Sequence, residues 1–273
     1  MLINSGTVSI NTEVYRKYDP EKTTIIFIHG FTGSLKEWEK VLPLIDDKYN
    51  KISVDLLGHG KSSVPDDPQK YSSESINNYL FDVINNYTKD KVILFGYSMG
   101  GRASLSFAVA YPEKLKALVL ESSSAGISKE AERNIRKEND AKLAELILNN
   151  PVEDFISKWM DQELFGTLKR FSNAKLDEMK KEKSKNSRMG LANTLRGFST
   201  GEMPYFGNNL KTLMFPVLLL SGQLDSKFTK ISSHLQNQFL KAKHSVIMCA
   251  GHNTHLEEPK YFMQSVNKFL KQF

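Results

Sequence analysis

The sequence is poor in cysteine: there is a single one, Cys249, among 273 residues. An internal disulfide is thereby excluded, and the neighbouring thiols of a structural zinc site are missing. The flanks of Cys249, Val246-Ile247-Met248 and Ala250, suggest an inert thiol in a buried strand end. Long apolar runs are absent too. The stretches Phe215 to Leu220 and Ile25 to Ile28 fall far short of the roughly 20 residues that a bilayer requires, so no membrane span is expected. The opening Met1 to Ile10 lacks a basic start followed by an apolar segment, which argues against a signal peptide and for a cytoplasmic chain. Internal repeats, low-complexity tracts, zinc-finger patterns and basic stripes interleaved with aromatics are also missing. Nucleic acid is therefore not an expected partner, although 37 Lys and Arg against 31 Asp and Glu leave a net charge of +6. A small anionic substrate is the better use of that excess.

The composition that remains, 40% apolar and 25% charged, is that of one large globular domain, or of one domain carrying an insertion. Thr7 to Tyr18 suggests one or two edge strands. Short runs then recur at Thr24 to Ile28, Lys51 to Asp55, Val92 to Phe95, Ala117 to Leu120, Val217 to Leu220 and Ser245 to Met248. They lack clear alternation, as strands buried on both faces do. Helical segments lie between them at Ser73 to Thr88, Gly100 to Tyr111, Thr229 to Phe239 and Pro259 to Phe273. This order predicts an α/β fold with a mostly parallel, doubly wound sheet. From about Ser122 to Tyr205 only charged helical stretches occur, among them Ser128 to Asn149 and Val152 to Trp159. The economical division is a core of 1–121 and 206–273 with a helical cap, 122–205, inserted over the strand ends.

Chemistry is concentrated where Val92 to Phe95 runs into Gly96-Tyr97-Ser98-Met99-Gly100 and then into a helix. A G-x-S-x-G run between strand and helix forces a strained turn that exposes the serine hydroxyl. That hydroxyl needs a histidine to take its proton, and the histidine needs a carboxylate to fix its tautomer. Asp225, after the strand ending at Leu220, and His252, after the strand ending near Met248, stand in the right order and places. Their rivals are Glu121 and His255. A pair of backbone donors for a developing oxyanion is expected from Met99 and from Phe31, in His29-Gly30-Phe31-Thr32-Gly33; His29 itself suits a turn-stabilising role. Gly58-His59-Gly60-Lys61-Ser62 imitates the end of a phosphate-binding loop, but Asp55 stands where that motif requires glycine, so nucleotide binding is not expected. Nothing calls for a metal or another cofactor.

These residues resemble the α/β-hydrolase family over essentially the whole chain. Four segments resemble, more narrowly, the menaquinone-pathway synthases that form 2-succinyl-6-hydroxy-2,4-cyclohexadiene-1-carboxylate: Gly96 to Arg102, Glu121 to Ile127, Gly222 to Phe228 and Gly251 to Pro259. The resemblance implies a lyase in which the triad abstracts a proton from a succinylated cyclohexene and pyruvate is eliminated. It implies a small tricarboxylate substrate, with Tyr97, Arg102, Arg136 and Trp159 binding it. A third family arginine is expected just before Gly190; Lys183, Lys185 and Arg188 compete for that place, and Arg188 is the choice. A carboxylesterase or carbon–carbon hydrolase would use the same triad, and a non-catalytic binding protein of this fold would not need it. Monomer and homodimer both remain open.

Overall fold

Runs such as Ile25–Ile28, Val92–Phe95 and Val217–Leu220, apolar at every position, must be covered on both sides, and the sheet they form is covered on both. The computed structural model describes all of residues 1–273. Two strands, β1 (Leu2–Ser5) and β2 (Val8–Tyr15), open the chain; β3 (Thr23–Ile28) and β4 (Tyr49–Val54) follow. Then α1 (Ser73–Tyr87), β5 (Val92–Tyr97), α2 (Met99–Ala110) and β6 (Leu115–Glu121) alternate. Four helices come next without an intervening strand: α3 (Glu130–Asn149), α4 (Val152–Met160), α5 (Asn173–Lys183) and α6 (Arg188–Phe198). The alternation resumes with β7 (Val217–Gly222), α7 (Ser226–Gln238), β8 (Ala242–Ile247), the short α8 (Thr254–Glu257) and α9 (Pro259–Leu270). No helix is long and apolar enough to cross a membrane.

The eight strands form one sheet in the order β1-β2-β4-β3-β5-β6-β7-β8. Pairing is antiparallel from β1 to β4 and parallel from there on. Alternate residues of each inner strand serve different layers: Ile26, Ile28 and Leu94 pack with α1 and α2, whereas Ile25, Phe27 and Phe95 pack with Trp38 and α9. The inserted helices gather a separate apolar cluster around Ala144, Phe155, Leu168 and Leu191.

Two expectations need correction. The first strand begins at Leu2 rather than Thr7, because Leu2 to Ser5 pairs with Val8 to Asn11 in a tight hairpin. Cys249 is exposed rather than buried, two residues past β8 and in a left-handed conformation with φ 60°. The physical reason is that β8 is the last strand of the sheet, paired only to β7, so the residues around its end face outward; Val246 and Met248 are exposed as well. The Gly-His-Gly-Lys-Ser turn is filled by the chain's own anion. Asp55 accepts hydrogen bonds from the N–H groups of Leu35 and Lys61. A Cβ at Gly60 would lie 2.2 Å from that carboxylate.

Candidate active site

The turn from β5 into α2 can be this tight because two of its residues have no side chain. A Cβ at Gly96 would come within 2.3 Å of the Gly100 carbonyl, and one at Gly100 within 2.1 Å of the Ile28 carbonyl. Between them Ser98 is held at φ 50°, ψ −107°, a conformation that a residue with a Cβ adopts only under constraint. The constraint comes from the neighbouring strand: Ser98 N–H donates to the Glu121 carbonyl at 2.8 Å, and the Ser98 carbonyl accepts from the Ser123 hydroxyl at 2.9 Å.

His252 reaches the serine from the loop after β8. Its Nε2 lies 3.1 Å from Ser98 Oγ and its Nδ1 2.8 Å from Asp225 Oδ2. With the proton on Nδ1, the ring donates to Asp225 and accepts from the serine hydroxyl, the arrangement required for proton transfer. The second oxygen of Asp225 caps α7 by accepting from Phe228 N–H at 3.0 Å, which fixes the carboxylate's orientation. That cap starts α7 at Ser226, three residues before the sequence pattern begins. Phe228, Phe165 and Tyr97 surround the imidazole, with ring centroids 4.6, 5.8 and 5.5 Å away, and shield it from water.

The rival residues pair with each other. Glu121 accepts from His255 Nδ1 at 2.8 Å, from the His255 amide at 3.0 Å and from the Thr254 hydroxyl at 2.6 Å, all fully buried beneath the triad. Burial alone would push the His255 pKa down; the Glu121 carboxylate outweighs it and raises the pKa above its ordinary 6.5. His29 braces the turn: its Nε2 accepts from Leu56 N–H at 3.0 Å, and its Nδ1 lies 2.7 Å from the Gly30 carbonyl. Burial lowers its pKa, which favours the neutral ring this bracing needs.

Ser98, Asp225 and His252 open into a cavity of about 820 Å³ between the strand ends and the inserted helices. Phe31, Tyr97, Met99, Arg102, Arg136 and Trp159 line it. The Phe31 N–H takes part in no hydrogen bond of the fold and so remains a free donor beside the serine. Arg102 is the most unusual group. It forms no ion pair, its Nε is buried without a partner, and its guanidinium lies 6.0 Å from the Phe198 ring centroid. Burial, with Arg136 nearby, pushes its pKa down to about 10, so the cation stays charged at neutral pH while lacking an anion. Arg136 is half-exposed and held by Asp140, with Nε to Oδ2 at 2.6 Å. Trp159 stacks edge-on to Phe31 at 5.2 Å. Burial drives the Tyr97 phenol well above its ordinary pKa, keeping it protonated.

Arg188 is not brought to the cavity. It begins α6 pointing away, its guanidinium donating to the carbonyls of Leu148 and Asn150. Lys185 is exposed and paired with Glu182. Lys183, the last residue of α5, is the one of the three that lines the cavity, 4.0 Å from the buried Glu37 carboxylate. Sequence reasoning also missed Glu257, which holds the His252 loop by accepting from Gly251 N–H at 2.8 Å and Asn253 N–H at 3.2 Å while pairing with Arg170. Its signal was present in Gly251-His252-Asn253-Thr254-His255-Leu256-Glu257, where one helical turn carries the carboxylate back to its own loop.

Fold and site together define the class. A family model for the alpha/beta hydrolase fold matches residues 23–259. Among curated relatives, a Bacillus subtilis (strain 168) protein named as a putative 2-succinyl-6-hydroxy-2,4-cyclohexadiene-1-carboxylate synthase is 35% identical over 90% of this chain and 89% of its own. The synthase of that name from Enterobacter sp. (strain 638) is 31% identical over 86% of each chain. The solved structure of MenH from S. aureus superposes with a TM-score of 0.91 at 29% identity, covering 96% of this chain and 98% of that one. The chain belongs to the α/β-hydrolase superfamily and, within it, to the family of these synthases.

Proposed function

We propose that this chain is the carbon–oxygen lyase of menaquinone biosynthesis that converts 2-succinyl-5-enolpyruvyl-6-hydroxy-3-cyclohexene-1-carboxylate into 2-succinyl-6-hydroxy-2,4-cyclohexadiene-1-carboxylate and pyruvate. The ring C–H that carries the succinyl group is acidified by the adjacent keto group. Ser98, its own proton passing to His252 Nε2, takes that hydrogen as a base, and Asp225 holds the ring by its Nδ1–H. Electrons from the broken C–H bond run through the conjugated keto group and the ring double bond, and the bond to the enolpyruvyl oxygen breaks. The departing enol takes up a proton and becomes pyruvate. Negative charge gathers meanwhile on the succinyl carbonyl oxygen, where the N–H groups of Phe31 and Met99 are placed to receive it. The reaction balances without a redox partner.

The substrate carries three carboxylates, and the observation that carries this reading is the half-buried Arg102, its Nε buried without a partner, beside Arg136 in the serine's own cavity. An apolar acyl pocket has no use for such a group, whereas a carboxylate would complete it. Tyr97 and Trp159 would pack against the ring and succinyl chain. We assign 1–121 and 206–273 to the catalytic core and 122–205 to a cap that supplies Arg136 and Trp159. The test is pyruvate release from the succinylated cyclohexene, read by a coupled lactate dehydrogenase assay. Arg102→Met should raise KM far more than it lowers kcat, because a carboxylate contact is made in ground and transition states alike. A wild-type chain that releases no pyruvate would overturn the assignment.

A further inference from the structure

A backbone donor serves the reaction only when its direction is fixed, and Phe31 lies in a loop, residues 29–33, outside any helix or strand. The loop also contains Thr32 in the left-handed region at φ 65°, which a branched residue does not adopt unaided. Two side chains hold it, one on each side of the free N–H. Upstream, Glu37, almost fully buried, accepts from Gly30 N–H at 2.9 Å and so fixes the preceding peptide. Downstream, Asn186, between α5 and α6, donates from Nδ2 to the Thr32 carbonyl at 2.8 Å. The same amide donates to the Lys183 carbonyl at 3.0 Å, and its Oδ1 accepts from Gly60 N–H at 2.9 Å. Asn186 is 6% exposed, so water cannot replace these bonds. Glu37 belongs to the core, but Asn186 belongs to the inserted helices.

We propose that Asn186 is a positioning residue for the elimination: reaching from the cap into the loop that carries Phe31, it makes the direction of the oxyanion donor depend on the cap being seated. The inference rests on the role given above to the Phe31 N–H. Charge develops on the carbonyl only in the transition state, so a misdirected donor costs kcat and spares KM. A side chain that merely fastens the cap would behave differently, and Asn193 supplies the comparison. It is buried too, lies on α6, and donates to the carbonyls of Pro65 and Asp66 at 3.1 and 2.9 Å, away from the loop.

Steady-state kinetics with the succinylated cyclohexene separate the two. Asn186→Ala should lose about 10- to 100-fold in kcat with KM within about threefold, whereas Asn193→Ala should stay within about twofold of wild type in kcat. Asn186→Asp keeps the size of the side chain and the acceptor for Gly60 N–H but has no donor for Thr32, and it should show the same loss even where the alanine variant fails to fold. Retention of near wild-type kcat by a folded Asn186 variant overturns the proposal. So does an equal loss in Asn193→Ala, or a loss that falls on KM. Wild-type failure to release pyruvate overturns the reaction and the clamp together, while an active wild type with an unaffected Asn186→Asp overturns the clamp alone.

Discussion

Two histidine–carboxylate pairs lie three residues apart in this chain, and they differ in what the second ring nitrogen meets. In His252 it meets the Ser98 hydroxyl; in His255 it is buried without a partner, the ring lying 4.8 Å from Trp38 and 5.1 Å from Tyr97. Only the first pair can move a proton to or from a substrate. Ser98→Ala and His252→Ala should each lower turnover by on the order of 10² to 10⁴, with Asp225→Asn less severe because the carboxylate only orients the ring. Pyruvate assays check this, and more than about a tenth of wild-type activity in Ser98→Ala would move the reaction centre elsewhere. The Glu121–His255 pair should instead appear in stability. Because its folded-state pKa is raised, His255 stabilises the fold fully below pH 6.5, and that contribution disappears as the pH rises through the raised value. The excess thermal stability of wild type over Glu121→Gln should therefore be largest in mild acid and shrink toward alkaline pH; a difference independent of pH would refute the linkage. Motif and chain order made Ser98, Asp225 and His252 legible in the sequence. They could not distinguish Lys183 from Arg188, because that choice depends on which way the chain turns between α5 and α6.

The elements themselves were legible in proportion to their burial. β3, β5 and β7 announce themselves because nearly every side chain in them is buried, whereas β8, with its outward-facing residues, begins three residues before the apolar pattern at Ser245 to Met248, and that pattern misrepresents the environment of Cys249. The inserted helices read only as charged and helical. α5 buries a single residue, Met179, so no apolar stripe marks it, and the start of α6 is set by Ser187 accepting from Gly190 N–H at 3.4 Å. What seats α6 is backbone against backbone. A Cβ at Gly190 would stand 2.2 Å from the Gly58 carbonyl, and Gly58, at φ 79°, has little room to move. Gly190→Ala should therefore destabilise the protein by about 1 to 3 kcal/mol through overpacking, despite alanine's better helix propensity. Urea unfolding measures it, and an unchanged or increased midpoint would show that the two backbones can part without cost.

The whole molecule offers an activated serine that two chemistries could use, and what the cavity binds selects between them. A hydrolase must let the alkoxide attack a carbonyl and then admit water. An eliminase must hold a C–H bond near the oxygen and stabilise an enolate-like charge. Here the aromatic rings around His252 restrict water at the base, while Arg102 and Arg136 line the cavity as cations that, in the function proposed above, would hold a polyanion. The net charge of +6 assists at longer range, so kcat/KM should fall as ionic strength rises past about 0.1 M, where the screening length is about 10 Å. No step of the elimination forms a bond to Ser98 Oγ. Rapidly quenched enzyme, taken during turnover of the succinylated cyclohexene and analysed by mass spectrometry, should show the peptide containing Ser98 at its unmodified mass, with pyruvate accumulating. p-Nitrophenyl acetate should give little steady hydrolysis, because it has no carboxylate to engage the arginines. An acyl mass on that peptide during turnover of the succinylated cyclohexene would mean that the serine attacks as a nucleophile, and the site would then be that of an esterase.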